Sequence, residues 1–473
     1  MNRAVNYQVA SSPGDGPVTL PTAYEIQDFA EANRIFCITK KQLLAEYAND
    51  FGNFCYALPK AVFIPTSVEQ LQQVVAFVHL KKMHIIARGA GSSQTGQSLS
   101  AAGGVLIDMR KLGNSIKIEQ DEAGQTLAYC STGVTLKQLI AVTLEQGYIP
   151  PVLPFYHELT VGGVLSAGGI GSASHKYGAF ISNVYELQVL TADGTTHTCT
   201  RSHLPGLFHG VLGTFGQFGI ILRAGLSLIK AADNYQTHRL CYKSIEEWLK
   251  DYSLLSRSPV SNLQGICIRQ DKYEWNYLLE VTTTGEESLK NSSEITSLNY
   301  DAIVQTTDQT PAAFLNRYKD RFEKMRSEGK FEQHHPFLEF IVAEKNVKEL
   351  IEYAANLLPP AYGDGFRLIY IDKKKLPKFF MVPAGERVCM FAILPTGIMG
   401  DDVEDSLLAA VKLHNFAIKL GCKRYLSGWL GMMDKHGMEQ HYEGKIEDLV
   451  NCKKQLDPSG IFRSHFSEKY KQL

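Results

Sequence analysis

The sequence predicts an α+β protein of two domains, and three observations support this fold class. The chain has 473 residues, which exceeds one small domain and fits two or three packed units. Three glycine-rich stretches occur in its first half, each beside an apolar run typical of a strand. From about residue 232 glycines become fewer and amphipathic segments longer, which indicates a domain boundary there.

The first block of the chain places strands and a helix around the loop ARGAGSSQTGQS, residues 87–98. A short strand is predicted over 61–64, and Ser67 then begins a helix, with Gln70 at the reciprocal capping-box position. The apolar residues of this helix share one stripe at helical spacing: Val68, Leu71, Val74, Val75 and Val78. A strand around Ile85 and Ile86 leads into the loop, and another follows over 105–108.

The second block repeats this organisation. A helix is predicted over 135–147, followed by an extended segment over 148–153 and a second glycine-rich stretch over 159–184. Two strands then form a hairpin that turns at Asp193-Gly194, and the third glycine cluster covers 207–229. Past residue 232 the amphipathic segments are 244–255, 346–358 and 405–420.

Composition excludes several classes of partner and location. The formal net charge is −1, with 44% hydrophobic and 21% charged residues, so neither nucleic acid nor an anionic membrane is an expected partner. The amino terminus lacks the apolar core of a signal peptide, and a cytoplasmic location is predicted. The nine cysteines are scattered and never spaced CxxC, which favours buried thiols over a disulfide framework or a zinc site.

The first glycine-rich loop is suited to binding phosphate. Glycine lacks a Cβ and tolerates positive φ, so consecutive backbone N–H groups can surround an anion. In residues 88–97 the side chains of Ser92, Ser93 and Gln97 can donate further hydrogen bonds. A glycine-rich loop taken alone is also compatible with a plain turn, and no helix follows this one as a dinucleotide-binding Rossmann turn requires.

Five stretches together resemble one known family. They are PTSVEQLQQVVAFV, RGAGSSQTGQ, LTVGGVLSAGGIG with YGAFISNV, LFHGVLGTFGQFGIILRA and CKKQLDPSGIF, within residues 58–230 and 420–465. Their order and wording resemble the PCMH-type FAD-binding domain of the vanillyl-alcohol oxidase superfamily, most closely the cytokinin dehydrogenase branch. The resemblance implies a substrate domain of antiparallel sheet flanked by helices beside the FAD-binding domain. The implied segments are 1–57 packing on the FAD domain, 58–231 as the FAD domain, 232–419 as the substrate domain, and 420–473 returning to the FAD domain.

The same resemblance implies where FAD lies. The residues along its pyrophosphate and dimethylbenzene edge would be Gly89, Ala90, Gly91, Ser92, Ser93 and Gln97. Those on its other side would be Thr160, Gly163, Ser166 and Ile170, with Ile221 at the adenosine and Tyr425 at flavin or substrate. The implied chemistry is transfer of hydride from a substrate C–H bond to flavin N5, while a protein base takes the accompanying O–H or N–H proton.

Two departures from the family pattern concern how the flavin is attached. Cytokinin dehydrogenases carry a histidine in the first loop that is covalently joined to the flavin, and this chain has Ser92 there. Related enzymes with two links use a cysteine shortly before the VGG step, where this chain has Glu158. The sequence therefore predicts non-covalent FAD and no metal.

Two further departures concern the proton acceptor. The family aspartate five residues before the threonine of LTVGG is replaced by Phe155, and a second family carboxylate aligns with Gln264. Loss of both carboxylates predicts a substrate other than a standard cytokinin. Phe155 would instead supply an aromatic wall, which favours an apolar substrate face.

His157 and Glu158 are the candidates for a replacement base, with Tyr156 beside them. Histidine titrates near neutral pH, but alternate residues of an extended segment face opposite ways, so at most one of the two would point at the flavin. In HHPFLEF, strand alternation places His335, Phe337 and Glu339 on one face, for which a structural role is the alternative. Lys176 and Tyr177 could contact the cofactor or stabilise their own loop, and Trp429 is a predicted core residue.

The sequence leaves three functions open. The leading one is an FAD-dependent oxidoreductase that acts on a small amine or alcohol. It passes electrons to an acceptor that the sequence does not identify. A sugar-alcohol or lactone oxidase of the same fold would need a more polar pocket than Phe155 suggests. The third is a flavin-binding protein that has lost catalysis.

Overall fold

The computed structural model describes residues 20–270, 274–285, 297–363 and 365–468. Within these ranges the chain forms two domains on either side of a cleft, and the predicted two-domain α+β fold is confirmed. Residues 1–19 of the predicted amino-terminal segment and 469–473 of the predicted carboxy-terminal segment lie outside the described residues.

From residue 20 onward, the amino-terminal domain has eleven strands in three sheets. Those of the four-stranded sheet are β1 (Phe36–Ile38), β2 (Val62–Ile64), β3 (Ile85–Arg88) and β4 (Val105–Asp108), in the order β1-β2-β4-β3. The antiparallel five-stranded sheet has the order β5-β6-β10-β8-β9, from β5 (Ile116–Gln120), β6 (Thr126–Ser131), β8 (Val184–Leu190), β9 (Thr196–Thr200) and β10 (Ile220–Ser227). A short pair joins β7 (Tyr148–Ile149) to β11 (Ile229–Lys230). Since β4 is parallel to both β2 and β3, the helix between β2 and β3 is a crossover connection.

Two of the seven helices described in this domain, α3 over Val68–Leu80 and α4 over Leu136–Glu145, are predicted by the sequence, and both begin where predicted. The seven are α1 (Ala23–Ala32), α2 (Lys41–Leu44), α3 (Val68–Leu80), α4 (Leu136–Glu145), α5 (Val161–Ala167), α6 (Ser174–Tyr177) and α7 (Pro205–Val211). Ser67 caps α3 by accepting from the Gln70 N–H, as predicted. The Gln70 side chain, however, accepts from Thr66 N–H, one residue before the position that a capping box requires. Complete boxes occur at α1, between Thr22 and Glu25, and at α4, between Thr135 and Gln138.

The second domain is built on one antiparallel sheet of eight strands, ordered β15-β12-β14-β13-β17-β18-β16-β19. These are β12 (Tyr235–Tyr242), β13 (Asn262–Arg269), β14 (Trp275–Thr284), β15 (Ala302–Gln309), β16 (Leu338–Ala343), β17 (Gly365–Ile371), β18 (Val388–Ile393) and β19 (Lys423–Arg424). Its helices in the described residues are α8 (Ile245–Leu255), α9 (Pro311–Leu315), α10 (Lys319–Ser327), α11 (Val347–Leu357) and α12 (Asp402–Lys419).

The two faces of this sheet have different neighbours. On one face Phe340, Leu368 and Phe391 form a core with the helices, in which Trp248 and Trp429 are also buried. On the other face the alternating residues of the same strands turn toward the amino-terminal domain, and Ile341, Ile369 and Met390 belong to its core. The cleft lies on that second face, so residues two apart along β16, β17 and β18 share it.

The carboxy-terminal segment connects the two domains. It first adds β19 to the large sheet, where Arg424 pairs with Phe340. Helices α13 (Lys435–His441), α14 (Ile446–Leu456) and α15 (His465–Glu468) follow. Beyond α14 the backbone binds β3, because Ile85 N–H donates to Ile461 and Arg463 N–H donates to Ile85. The segment thereby fixes the position of the eight-stranded sheet relative to the loop that follows β3.

Candidate active site

One large cleft, with a volume of about 630 Å³, lies between the two domains. It is lined by Phe155 and by every residue that the resemblance assigns to FAD. These are Gly89, Ala90, Gly91, Ser92, Ser93, Gln97, Phe155, Thr160, Gly163, Ser166, Ile170, Ile221 and Tyr425. Three glycine-rich stretches far apart in sequence therefore meet at one surface.

The loop after β3 has the geometry of an anion-binding nest. The backbone N–H groups of residues 90–93 donate to no acceptor in the described part of the chain. Gly91 has φ +72°, a conformation that favours glycine, and a Cβ there would also collide with the Arg88 guanidinium. A buried carboxylate, Asp50, holds the far end of the loop by accepting from Gly96 N–H at 2.7 Å and from Ser93 Oγ at 2.9 Å.

Gln97 supports this loop from below. Its Oε1 accepts from the Gln94 and Thr95 N–H groups, at 3.2 and 2.7 Å. Its Nε2 donates to the Leu426 carbonyl at 2.8 Å. The side chain therefore ties the loop to the carboxy-terminal segment, in addition to lining the cleft.

The opposite wall is formed by α5 and the turn that follows it. Thr160 caps α5 by accepting from Gly163 N–H at 3.2 Å. The Tyr425 hydroxyl accepts from Gly169 N–H at 2.8 Å and fixes the turn. At the far end of the cleft, the pairing of β10 with β8 shifts register just after Ile221. A register shift of this kind interrupts the hydrogen-bond ladder within the sheet and leaves a residue unpaired there.

These walls fit FAD. The free N–H groups at 90–93 suit its diphosphate, and buried polar atoms without a partner, Arg88 Nη1 and Asp50 Oδ1, belong to residues that line the cleft there. Glycine backbone on both sides leaves room for a planar ring.

The substrate side of the cleft is a row of side chains across the large sheet. Glu339 of β16 pairs with Ala392 of β18, which in turn pairs with Arg367 of β17. Glu339 and Arg367 therefore stand on one face with the small Ala392 between them, about 10 Å apart at two strand spacings.

Glu339 is a buried carboxyl at the centre of this surface. Glu339 is only 8% exposed, and its Oε2 accepts a hydrogen bond from Ser427 Oγ at 2.8 Å. Burial raises the pKa of Glu339 to about 7, against the opposing effects of the Ser427 hydrogen bond and the Arg424 charge. The group can therefore exchange a proton at neutral pH.

Phe155 forms an aromatic wall with Tyr318. The two rings pack edge to face with centroids 4.9 Å apart, and the Arg367 guanidinium carbon lies 5.3 Å from the Phe155 centroid. Phe155 therefore presents an aromatic ring to the cleft and offers no proton acceptor.

The three predicted catalytic candidates lie outside the cleft lining in the described chain. His157 lines a separate cavity of about 230 Å³, together with Lys176 and Tyr177, and burial lowers its pKa to about 4. Glu158 forms an ion pair with Lys137 at 3.0 Å on the surface. Residues 157–158 form a turn, so the alternation of side chains expected for an extended segment does not apply to them. Gln264 is buried and donates to Glu280 while accepting from Arg367 Nη1 at 3.2 Å.

The predicted site residues include none of the charged residues that line the cleft in the described chain, which are Asp50, Arg88, Arg321, Arg326, Glu339 and Arg367. Glu339 had a usable signal, since it is the one carboxylate in the apolar strand LEFIVA, at an inward position. His335, expected on the same face, instead stacks on Phe51 with centroids 4.0 Å apart, because the strand begins only at Leu338.

Every helix in the described residues is too short or too polar to span a lipid bilayer.

Comparison with known proteins agrees with this geometry. Residues 59–200 match the FAD binding domain family, and residues 239–465 match the family described as cytokinin dehydrogenase 1, FAD and cytokinin binding. Cytokinin dehydrogenase 2 of Arabidopsis thaliana is 28% identical over 92% of this chain and 93% of its own length. Cytokinin dehydrogenase 6 of Oryza sativa subsp. japonica is 27% identical over 88% of each chain. An uncharacterized oxidoreductase, ORF5 in the fasciation locus of Rhodococcoides fascians, is 27% identical over 87% of this chain and 94% of its own length.

Proposed function

Because this chain is an FAD-dependent oxidoreductase of the PCMH-type FAD-binding superfamily, close to the cytokinin dehydrogenases, we propose that it oxidises a small amine or alcohol other than a standard cytokinin. The observation that carries the proposal is the buried carboxyl of Glu339, which the eight-stranded sheet presents to the cleft. The sequence resemblance supports it, because it aligns Phe155, which has no carboxylate, with the family aspartate.

FAD and the residues of the cleft have different roles in the proposed reaction. Bound FAD supplies the acceptor for the hydride of a substrate C–H bond. Glu339, as the carboxylate, takes the proton from the substrate O–H or N–H group, and the Ser427 hydroxyl orients it by donating to Oε2. Phe155 and Tyr318 pack against the apolar part of the substrate and exclude water from it.

The proposal is tested by mixing the FAD-loaded protein anaerobically with a panel of small amines, small alcohols and an isopentenyl-adenine cytokinin. We expect absorbance of oxidised flavin to bleach with at least one small amine or alcohol and not with the cytokinin. Photoreduction of the same sample is the control that the flavin can be reduced. Flavin that photoreduces but is inert to every donor would show a protein without this activity.

We propose further that FAD is held without a covalent bond. Ser92 lines the cleft at the histidine position, and the lining residues in the described chain include neither histidine nor cysteine. After precipitation with acid, all of the yellow flavin is expected in the filtrate, with none on the pellet. Flavin that stays with the denatured polypeptide on a gel would contradict this expectation.

The proposed role of Glu339 predicts a pH dependence. Below a pKa of about 7 the group is mostly protonated and cannot accept a proton, whereas above it the carboxylate predominates. With an alcohol donor, which does not titrate in this range, the rate constant of flavin reduction should rise about tenfold per pH unit below that pKa and level off above it. Stopped-flow absorbance between pH 5 and 9 measures this profile, and a flat profile would exclude Glu339 as the acceptor.

A further inference from the structure

We propose that the cleft recognises substrates that carry a carboxylate group, which the guanidinium groups of Arg367 and Arg321 bind. This inference rests on the proposed function and adds the chemical class of its substrate.

The first argument is the balance of charge in the cleft. The charged residues that line it in the described chain are Asp50, Arg88, Arg321, Arg326, Glu339 and Arg367. Arg88 is attracted by Asp50 beside the glycine loop, so these two charges offset each other on the cofactor side. On the substrate side three arginines stand against the single carboxyl of Glu339, which leaves an excess of positive charge there.

The second argument is that Arg367 has only neutral partners within hydrogen-bonding distance in the described chain. Its Nη1 donates to Gln264 Oε1 at 3.2 Å, and its guanidinium lies near the rings of Phe155 and Tyr318. Glu280 belongs to the same network, but its Oε1 already accepts from Arg239 at 2.5 Å. Its other oxygen accepts from Gln264 and Tyr318, so the Arg367 charge is not neutralised at contact distance.

The third argument is the state of Arg321. Its guanidinium makes no ion pair or hydrogen bond in the described chain, although it lines the cleft. Desolvation and the nearby charge of Arg367 lower its pKa, which means that the two cations repel each other. Two arginines outside the cleft show the contrast, since Arg110 pairs with Asp108 at 2.6 Å and Arg387 pairs with Glu344 at 3.2 Å. Arg326 is not counted with this pair, because it already donates a hydrogen bond to the Tyr156 hydroxyl.

An anion bound at this pair would be positioned for reaction. Planar guanidinium groups bind carboxylates through two parallel hydrogen bonds, which fixes the orientation of the ligand. A small molecule held in this way extends across Ala392 toward Glu339, about 10 Å away at two strand spacings. Phe155 and Tyr318 then cover its apolar body. The reacting bond is thus placed at the carboxyl and the anionic group at the arginines.

The experiment compares two ligands of one shape, trans-cinnamate and its neutral amide cinnamamide, titrated into the FAD-loaded protein. Binding is read from the shift of the visible flavin spectrum, which requires no turnover. We expect cinnamate to bind about ten- to hundredfold more tightly than the amide. Arg367→Gln and Arg321→Gln should each weaken cinnamate by at least about tenfold and leave the amide within about twofold. Arg257→Gln, at an exposed arginine outside the cleft, should change neither.

Equal affinity for the two ligands, or an unchanged preference in both arginine variants, would overturn the inference while leaving the oxidoreductase proposal intact. Loss of FAD from the arginine variants would also overturn it, because the arginines would then serve the cofactor. Failure of the proposed function has a different signature, namely flavin that no amine or alcohol reduces even though cinnamate still shifts its spectrum.

Discussion

Glu339→Gln is expected to slow substrate-driven flavin reduction by about 10²- to 10⁴-fold, the usual contribution of a positioned general base. Glutamine preserves the size of the side chain and can still meet the Ser427 hydroxyl, but it accepts no proton. The FAD content and the thermal unfolding temperature should stay close to those of the parent. Stopped-flow measurement with the best donor of the panel gives the rate, and the 450 nm absorbance of the purified protein gives the FAD content.

Two further variants decide whether this loss reflects proton transfer. Glu349→Gln changes an exposed glutamate on α11 and should leave the rate unchanged. Ser427→Ala removes the hydrogen bond that stabilises the charged carboxylate, so the pH profile should move to higher pH while the plateau rate is largely kept. An unaltered rate in Glu339→Gln, or a profile that does not move in Ser427→Ala, would assign the proton to another group.

Local signals made the framework of the cofactor side predictable. Ser67 and Thr135 are N-caps followed by apolar stripes, and both helices begin where these signals place them. The Asp193-Gly194 turn closes the β8–β9 hairpin as predicted. Each of these features depends on residues close in sequence, so one sequence contains enough information to place them.

The substrate side depends on contacts between distant residues, which the sequence does not reveal. Glu339 and Arg367 become neighbours only because β16 and β17 both pair with β18. The alternation of HHPFLEF correctly groups Phe337 with Glu339, but the pattern alone cannot say whether their face meets helices or the other domain. For His157 and Glu158, a turn replaced the expected extended chain, and both side chains were carried away from the cleft.

Gly89→Ala should produce protein that binds FAD weakly or is purified without it. A Cβ at Gly89 would collide with the Thr160 Oγ1 and would lie 3.1 Å from the Thr160 Cβ. Both residues line the cleft on facing walls, so relief of the collision moves either the loop or the cap of α5. Overpacking of this kind costs about 1–3 kcal/mol, which corresponds to roughly 5- to 150-fold weaker binding if it is borne by the holo form.

Fluorescence titration of the apoprotein with FAD measures that loss, and a matched glycine provides its control. Gly206, in the exposed part of α7, has no atom within 4 Å of an added Cβ, so Gly206→Ala should bind FAD as the parent does. The double variant Gly89→Ala with Thr160→Ala removes the colliding oxygen and should regain part of the affinity lost by Gly89→Ala, despite the missing cap. Such a recovery assigns the defect to the contact between the two walls, because a general failure to fold would be worsened by the second substitution. Full FAD affinity in Gly89→Ala would mean that the two walls do not enclose the cofactor as proposed.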